Sequence, residues 1–338
     1  MEFGPVPVAQ AEGAILAHSV AVPGGRLRKG IVLTAADLDA LSAQGLSAVT
    51  VARLAGSDVH EDDAAARLGA AVVEGSGLVA DAAVTGRVNL RAPGPGIVEV
   101  DAATVGAVNT VDEMLTLATV APFARLDARG LAATIKVISY GVDAAAVARA
   151  CAAARGALRF HPVQRRQAVL IQTVVPGEDG ARGHEALTLR LERLGAQLAP
   201  KVVVPHETGA LRDALRDVIG ATPQQGAVTK TDGVIFVLTG SATSDPYDVG
   251  PAALRAAGGR VERFGMPVDP GNLLFLGDLD GVPVIGLPGC ARSAALNGAD
   301  WVLERVLCGV PVSAQDIAGM GVGGLLKEIP SRPRPREG

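Results

Sequence analysis

A stretch of twelve residues at 239–250, "TGSATSDPYDVG", contains several side chains that could do chemistry. Four serine or threonine hydroxyls and two carboxylates stand in it, and it directly follows an apolar run, "VIFVL" at 234–238. Hydroxyl groups can donate hydrogen bonds to an anion, and carboxylates can accept them from a heterocycle or coordinate a hard cation. A turn alone does not require so many polar groups. The stretch therefore predicts a binding loop.

The elements around this loop alternate regularly from residue 168 onward. Runs at 168–175, 201–205, 233–238, 260–268 and 282–289 predict strands, most of them apolar and buried. Helical patterns stand between most of them, with a long helix near 291–307 at the end. Such alternation is typical of an α/β fold, a three-layer doubly wound and mostly parallel sheet.

The chain is long enough for more than one domain. We predict a smaller α+β region at 1–160, the doubly wound domain at 165–310, and a Gly/Pro/Arg-rich tail at 311–338.

Four loops follow the predicted strands of the second domain. They read "TVVPGEDGARG", "VPHETG", "LTGSATSDPYD" and "LPGCARSA". In an open α/β sheet, ligands bind beyond the carboxyl ends of the strands, and the helix N-termini that follow attract anions. We therefore expect the four loops to converge on one binding site.

Composition excludes several classes of function. The net charge is −4, and aromatic residues make up only 3% of the chain, so neither a basic stripe nor a base-stacking platform indicates a nucleic-acid partner. The three cysteines form no CxxC pair, which fits a reducing compartment. We see no apolar run long enough for a membrane span and no signal peptide at the N-terminus. We expect a cytoplasmic protein without a membrane partner.

The loop at 239–250 resembles a motif of molybdopterin-binding proteins. It is similar to the "TGGTG..PRD.T" loop of the MogA/MoaB type and to the "SGGVSVGDYD" loop of the MoeA family. Further along, "MPVDPGNLLFLGDLDGVPVIGLPGCARSAALN" resembles the MoeA stretch that runs through "KPGKP" to "LPGNPVSA". The resemblance covers 168–308 and extends weakly upstream.

The resemblance implies a MogA-like domain that binds molybdopterin or molybdenum cofactor during the synthesis of that cofactor. The residues that it implies for binding are Thr239, Gly240, Ser241, Thr243, Ser244, Asp245, Asp248, Pro270, Gly271, Pro288, Gly289 and Ser293. The nearby arginines Arg260, Arg263 and Arg292 are candidates to meet the phosphate, and the sequence does not distinguish among them. Asp248 would be the catalytic residue if the protein is an enzyme.

Three departures from the motifs weigh against catalysis. Ser241 stands where the motifs have the second glycine, and Asp245 stands where they have a later glycine. His206 stands where MogA-type proteins have an acid, although Glu207 follows it. In the family, that acid and the final Asp of the loop support adenylation of molybdopterin or metal insertion. An imidazole is a poor ligand for a hard cation, which prefers oxygen.

Three readings of function follow. The first is a binding or carrier protein that passes the cofactor to a cytidylyltransferase or a molybdoenzyme. The second is an active molybdopterin adenylyltransferase or molybdotransferase that uses a nucleotide and Mg²⁺. A small-molecule regulator unrelated to molybdenum is the third. A homo-oligomer is expected.

Three residues outside the loop have alternative interpretations, and none is predicted as a resident metal ligand. His60, in "DVHEDD", either caps a helix or joins the neighbouring acids around a metal, and the cap is favoured. Lys136, inside the apolar run "ATIKVIS", is either an edge-strand lysine or an anion contact. Cys290 is either a small buried residue, which is favoured, or a ligand to molybdenum or copper.

Overall fold

The computed structural model describes residues 1–220 and 228–326. The chain is a mixed α/β protein with several sheets, most of whose strand pairings are antiparallel. It divides into two compact units, Met1–Gly94 with Val98–Phe160, and Pro95–Ile97 with the residues from His161 onward. Among the described residues, none of the helices combines the length and the apolar character that a membrane span requires.

The first half of the chain consists of short strands and four helices. In chain order the elements are β1 (Glu2–Pro7), β2 (Ile15–Leu16), β3 (Val20–Val22), β4 (Gly25–Leu27), α1 (Ala35–Ala43), β5 (Ala48–Arg53), β6 (Asp58–His60), α2 (Glu61–Val73), β7 (Val79–Ala80), β8 (Arg87–Arg91), β9 (Gly96–Val100), α3 (Ala102–Asn109), β10 (Leu115–Thr119), β11 (Ala124–Leu126), β12 (Leu131–Val137), β13 (Gly141–Asp143), α4 (Ala144–Ala153) and β14 (Leu158–Pro162).

Two hydrophobic cores support this half. One lies around the sheet β1-β5-β2 and α1, and the other lies between the sheet β10-β12-β8-β7 and helices α2 to α4. Local signals set the helix starts, because Thr34 forms a capping box with Asp37, and Asp101 and Asp143 cap α3 and α4 through their carboxylates.

His60 and Lys136 both have structural roles in this unit. His60 caps α2, since its Nδ1 accepts from the Asp62 N–H at 3.3 Å, which confirms the favoured interpretation. The edge-strand interpretation of Lys136 is wrong, because β12 lies between β10 and β8. Lys136 Nζ donates to the Thr85 carbonyl at 2.6 Å and pairs with the largely buried Glu61 at 3.4 Å. The positive charge of Lys136 thus compensates the negative charge of Glu61.

The second unit contains the predicted binding loops. Its further elements are β15 (Gln167–Val174), α5 (His184–Glu192), β16 (Gln197–Leu198), β17 (Val202–Pro205), α6 (Thr208–Gly220), β18 (Gly233–Leu238), α7 (Val249–Ala256), β19 (Arg260–Phe264), β20 (Phe275–Leu279), β21 (Val282–Leu287), α8 (Gly298–Leu307) and α9 (Ala314–Gly319).

One sheet forms the centre of this unit. Its order is β16-β15-β18-β21-β20-β19, and β17 also pairs with β15. The pairings of β15 with β16, β17 and β18, and of β18 with β21, are parallel. All six residues of β18 are buried, as expected for a strand covered on both faces. A core between this sheet and helices α6 and α7 covers one face.

The other end of the sheet differs from the prediction of a parallel sheet. Strands β19 and β20 pair antiparallel with each other, and β20 pairs antiparallel with β21. A hairpin turn joins β20 and β21, and Asp280 (φ 54°) and Gly281 (φ 87°) both take the left-handed backbone that such two-residue turns require. The Asp-Gly pair signals this hairpin, and strand β20 was missed because that signal was not used.

Two more predicted segments have a different local structure. The helix expected at 291–307 is divided into a 3-10 turn at Gly289–Arg292 and helix α8, which starts after the capping box of Asn297 and Asp300. Within the predicted tail, α9 begins at a capping box of Ser313 with Asp316, and the Leu326 N–H donates to the Asp269 carbonyl at 2.9 Å. Residues 327–338 of that tail lie outside the described residues.

Candidate functional site

Two loops of the second unit meet at the hydroxyl of Thr173, a fully buried residue near the end of β15. Its Oγ1 accepts from the Gly240 N–H at 2.9 Å and lies 2.7 Å from Nδ1 of His206. His206 follows β17, and Gly240 follows β18, and both strands pair in parallel with β15. The sequence could place each residue at a strand end, but the hydrogen bonds arise because these strands are neighbours.

Gly240 is a glycine because the chain passes very close to β15 at this point. A Cβ on this residue would lie 3.0 Å from both the Thr173 carbonyl oxygen and the Val175 nitrogen, which are backbone atoms. Backbone atoms cannot move aside as a flexible side chain can, so a larger residue would push the loop outward. Gly240, one of the predicted binding residues, therefore allows the loop to pack closely against the end of β15.

The loop at 239–248 is braced by its own side chains. Thr239 and Thr243 are buried, and their hydroxyls lie 3.0 Å apart. Asp248 caps α7, since its Oδ1 accepts from the Val249 N–H at 2.7 Å and its Oδ2 accepts from the Ser244 N–H at 3.1 Å. The carboxylate of Asp245 accepts from the Tyr247 N–H at 2.8 Å. Three carboxylate oxygens are thus used to shape the loop.

A pocket of about 430 Å³ lies beside this loop and is lined by Gln172, residues 177–182 and Arg292. None of the twelve residues predicted for binding belongs to this lining, among those that the structure describes. Arg292 connects the pocket to the loop, because its Nη2 donates to the Thr239 carbonyl at 2.9 Å. The predicted loop at 239–248 thus lies next to the pocket, and most of the pocket lining comes from the loop after β15.

Two buried polar atoms of the pocket residues lack hydrogen-bond partners within the described residues. They are Oε1 of Gln172, whose side chain is only 2% exposed, and Nε of Arg292. A buried polar group without a partner costs about 1–3 kcal/mol, so native proteins rarely keep one without a reason. Sequence reasoning missed Gln172, although a glutamine inside the apolar strand "AVLIQTVV" is a usable signal.

The structure distinguishes the three candidate arginines. Arg260 and Arg263 lie on β19, where Arg260 pairs with Glu262 at 2.7 Å and Arg263 donates to the Gly265 carbonyl at 3.0 Å. Arg292 alone of the three lines the pocket beside the loop. It is therefore the arginine best placed to meet a ligand there.

Arg190 is buried and holds the loop between the 3-10 turn and α8. Its guanidinium donates to the carbonyls of Ala186, Ala291, Ser293 and Ala295 at 2.8 to 3.1 Å and pairs with the carboxylate of Asp300. The prediction missed this residue. Arg190 follows Leu187 by three positions and precedes Leu194 by four, so it lies on the apolar face of α5, and this position was the available signal.

The remaining predicted residues lie around the start of α8. The Pro270 carbonyl accepts from the Gly298 N–H at 2.8 Å, and a Cβ on Gly271 would lie 3.0 Å from Gly298 Cα. Pro288 and Gly289 begin the 3-10 turn. The hydroxyl of Ser293, an exposed residue, accepts from the Ala295 N–H at 3.3 Å. These residues shape the loop before α8.

The cysteines of this unit differ in environment. Cys290 is exposed, and its Sγ accepts from Nδ2 of Asn297 at 3.0 Å, so the favoured interpretation of a buried residue is wrong. Burial raises the pKa of Cys308 to about 12, with a smaller contribution from the charge of Glu304, so this thiol stays protonated at neutral pH. In the part of the chain that the structure describes, no group of three or more His, Cys, Asp or Glu residues is arranged to hold a metal.

Comparison with known proteins gives one partial family match. The model "Domain of unknown function (DUF8806)" matches residues 5–53, which is too small a part to assign the whole chain to a family. No curated protein matches the chain.

Several solved structures are returned, and by their titles they are molybdenum cofactor biosynthesis proteins, the group that the loop motifs resemble. The molybdopterin biosynthesis MoeA protein from Pyrococcus horikosii is 13% identical over 95% of this chain and 76% of that chain, with a TM-score of 0.29. A molybdenum cofactor biosynthesis protein from Pyrococcus furiosus is 12% identical over 92% of this chain and 66% of that chain, with a TM-score of 0.24. Molybdenum cofactor biosynthesis protein B is 13% identical over 42% of this chain and 88% of that chain, with a TM-score of 0.27. At such scores the matches carry no weight for fold or function.

Proposed function

We propose that this chain binds molybdopterin, or its metallated or nucleotide form, at the carboxyl edge of the sheet in the second unit. Residues 165–310 would form a three-layer, MogA-like binding domain, and residues 1–160 would form a MoeA-like N-terminal region. The loop motif at 239–250 supports the choice of ligand. The titles of the structural neighbours agree with it, although their scores are too low to support it.

The observation that carries the proposal is the pair of unpartnered atoms in the pocket residues, an acceptor on Gln172 and a donor on Arg292. The pterin ring has an edge on which an N–H stands beside a carbonyl, and these two groups match the acceptor and the donor in kind. Both atoms are buried. We propose that the exposed residues of the loop at 177–182, which line the same pocket, move when a ligand enters.

The same neighbourhood can hold the anionic part of the ligand. Ser241 and Ser244 are exposed in the loop beside the pocket, and their hydroxyls can donate to phosphate oxygens. Arg292 adds a fixed positive charge to this edge. A guanidinium is suited to phosphate, because its planar set of donors matches the oxygens of the anion.

The role of Arg292 can be tested by substitution with glutamine. We expect Arg292→Gln to raise the Kd for molybdopterin about tenfold to a hundredfold, since a hydrogen bond to a charged group contributes about 1.5–3 kcal/mol and 1.4 kcal/mol is a factor of ten. Fluorescence titration of the purified protein measures the change.

Arg260→Gln and Arg263→Gln are the matched controls, because both arginines lie on β19 and are engaged there. We expect their affinities to remain at the parental value. An equal loss of affinity in all three variants would indicate a general effect of charge. An unchanged affinity in Arg292→Gln would remove the pocket from the proposal. Tight binding of an unrelated metabolite, with no binding of molybdopterin, would favour a small-molecule regulator unrelated to molybdenum.

We further propose that the protein is a carrier, which binds its ligand without turning over ATP. Three carboxylate oxygens of Asp245 and Asp248 already accept backbone N–H groups, so the loop does not present a ready Mg²⁺ site. His206 stands where the resembling enzymes have an acid, and its Nδ1 is engaged with Thr173. The loop and the position of His206 therefore offer few of the oxygen ligands that a Mg²⁺-nucleotide reaction needs.

The carrier proposal predicts no release of pyrophosphate when the purified protein is mixed with molybdopterin, Mg²⁺ and ATP. Mass spectrometry should find no adenylated pterin after many equivalents of ATP have been offered. Multiple turnovers that disappear in Asp248→Asn would instead establish the transferase. If no turnover is found, delivery of the cofactor to a cytidylyltransferase or a molybdoenzyme is the next property of the carrier to test.

A further inference from the structure

We propose that His206 is a positioning residue that acts through Thr173 to fix the orientation of the peptide group between Thr239 and Gly240. The effect on ligand affinity rests on the proposed function, but the effect on the peptide group does not. The inference starts from the fact that both ends of this one peptide group are held by side chains. Arg292 Nη2 donates to its carbonyl at 2.9 Å, and Thr173 Oγ1 accepts from its N–H at 2.9 Å.

The hydroxyl of Thr173 connects this peptide group to His206. The Gly240 N–H can only donate, so Oγ1 must act as an acceptor there. The hydroxyl proton is then available to Nδ1 of His206, which lies 2.7 Å away. A hydroxyl that donates in one direction accepts better in the other, because hydrogen bonds in a chain polarise one another.

The backbone of His206 is also held in place. The His206 N–H donates to the Val174 carbonyl at 2.9 Å, which anchors the residue against the strand that carries Thr173. Thr173 is fully buried, so bulk solvent does not reach its hydroxyl, and His206 is its side-chain partner. Without the imidazole, the hydroxyl could turn its proton toward Gly240 and lose the N–H that it now accepts.

The consequence for the site is a defined carbonyl direction at the start of the binding loop. A rotation of the peptide group would move the Thr239 carbonyl away from Arg292, and the guanidinium that lines the pocket would lose the contact that orients it. The residue that stands in place of the family's acid thus gains a role in this chain. It prepares the site for the ligand and does not contact the ligand.

The first measurement needs no ligand. We expect the Gly240 amide to exchange its hydrogen about tenfold faster or more in His206→Ala and in Thr173→Val, as measured by NMR on the full chain, since a lost hydrogen bond opens the amide. Thr173→Ser keeps the hydroxyl, so its Gly240 amide should exchange as slowly as in the parent protein. His206→Asn places an amide oxygen near the position of Nδ1, so its Gly240 amide should exchange at a rate between those of the parent and His206→Ala.

The second measurement is the affinity for molybdopterin. If His206 acts through Thr173, the double variant His206→Ala/Thr173→Val should bind no more weakly than Thr173→Val alone, because the two residues form one path. Additive losses with an unchanged Gly240 exchange would show that His206 contacts the ligand directly and would overturn the proposal.

The two measurements separate the two proposals. If the parent protein does not bind molybdopterin, the proposed function fails, and the Gly240 exchange rate still decides the role of His206. Parental exchange in His206→Ala would overturn the positioning role, whatever the result for Thr173→Val. Should His206→Ala fail to fold, His206→Leu, which fills the space without a polar atom, takes its place, and parental Gly240 exchange in it would overturn the proposal in the same way.

Discussion

Arg190→Met is expected to lower the free energy of unfolding by about 3–5 kcal/mol, the usual cost of breaking a buried ion pair by removing one partner. Methionine keeps most of the side-chain length but removes every donor. Asp300 would be left with an uncompensated charge in a largely buried position, and the carbonyls of Ala291, Ser293 and Ala295 would lose their donors. The loss affects stability and the shape of the loop before α8 together.

Urea unfolding followed by tryptophan fluorescence measures this change, because Trp301, the one tryptophan of the chain, lies in α8 next to Asp300. Arg193→Met is the matched control, since Arg193 is exposed at the end of the same helix, α5. Its effect should stay within about 0.5 kcal/mol. A similar small effect in Arg190→Met would show that the guanidinium does not brace the loop.

Gly286→Ala is expected to destabilise the second unit by about 2 kcal/mol or more. A Cβ on this residue would lie 1.9 Å from Cε1 and 2.0 Å from Cδ1 of Phe275, a fully buried ring on the neighbouring strand β20. Real carbon atoms do not approach so closely, and the ring is packed in the core and cannot turn aside freely. Overpacking of this kind usually costs about 1–3 kcal/mol and occasionally more.

Gly289→Ala, three residues further on, is the matched control, because a Cβ there meets no described atom within 4 Å. Thermal or urea unfolding should show almost no change for it. The pair Phe275→Leu with Gly286→Ala should lose less stability than the sum of the single variants, since the smaller side chain makes room for the new methyl group. Additive losses would mean that the cost of Gly286→Ala has a different origin.

Local pattern was sufficient to predict much of the second unit. Strands β15, β17, β18 and β21 are apolar runs that can be read from the chain alone, and the loop that follows β18 was predicted because polar residues crowd after such a run. Helix starts follow from short-range chemistry, as in the capping box of Asn297 with Asp300, a local signal that the predicted helix at 291–307 did not use. Even the hairpin between β20 and β21 has a local signal, the Asp280-Gly281 pair, although the prediction did not use it.

The contacts that make the site depend on strand order, which the sequence does not state. Thr173, His206 and Gly240 are separated by more than thirty residues along the chain, and they meet only because β17 and β18 both pair with β15. Arg190 reaches Asp300 across 110 positions. A hydrogen bond forms only when the donor and the acceptor are positioned to within a few tenths of an ångström of the right distance. A sequence pattern predicts which face of an element a residue occupies, but not its position with that precision. The amino-acid sequence thus determined which side chains face the edge of the sheet, and tertiary packing decided which of them hold one another.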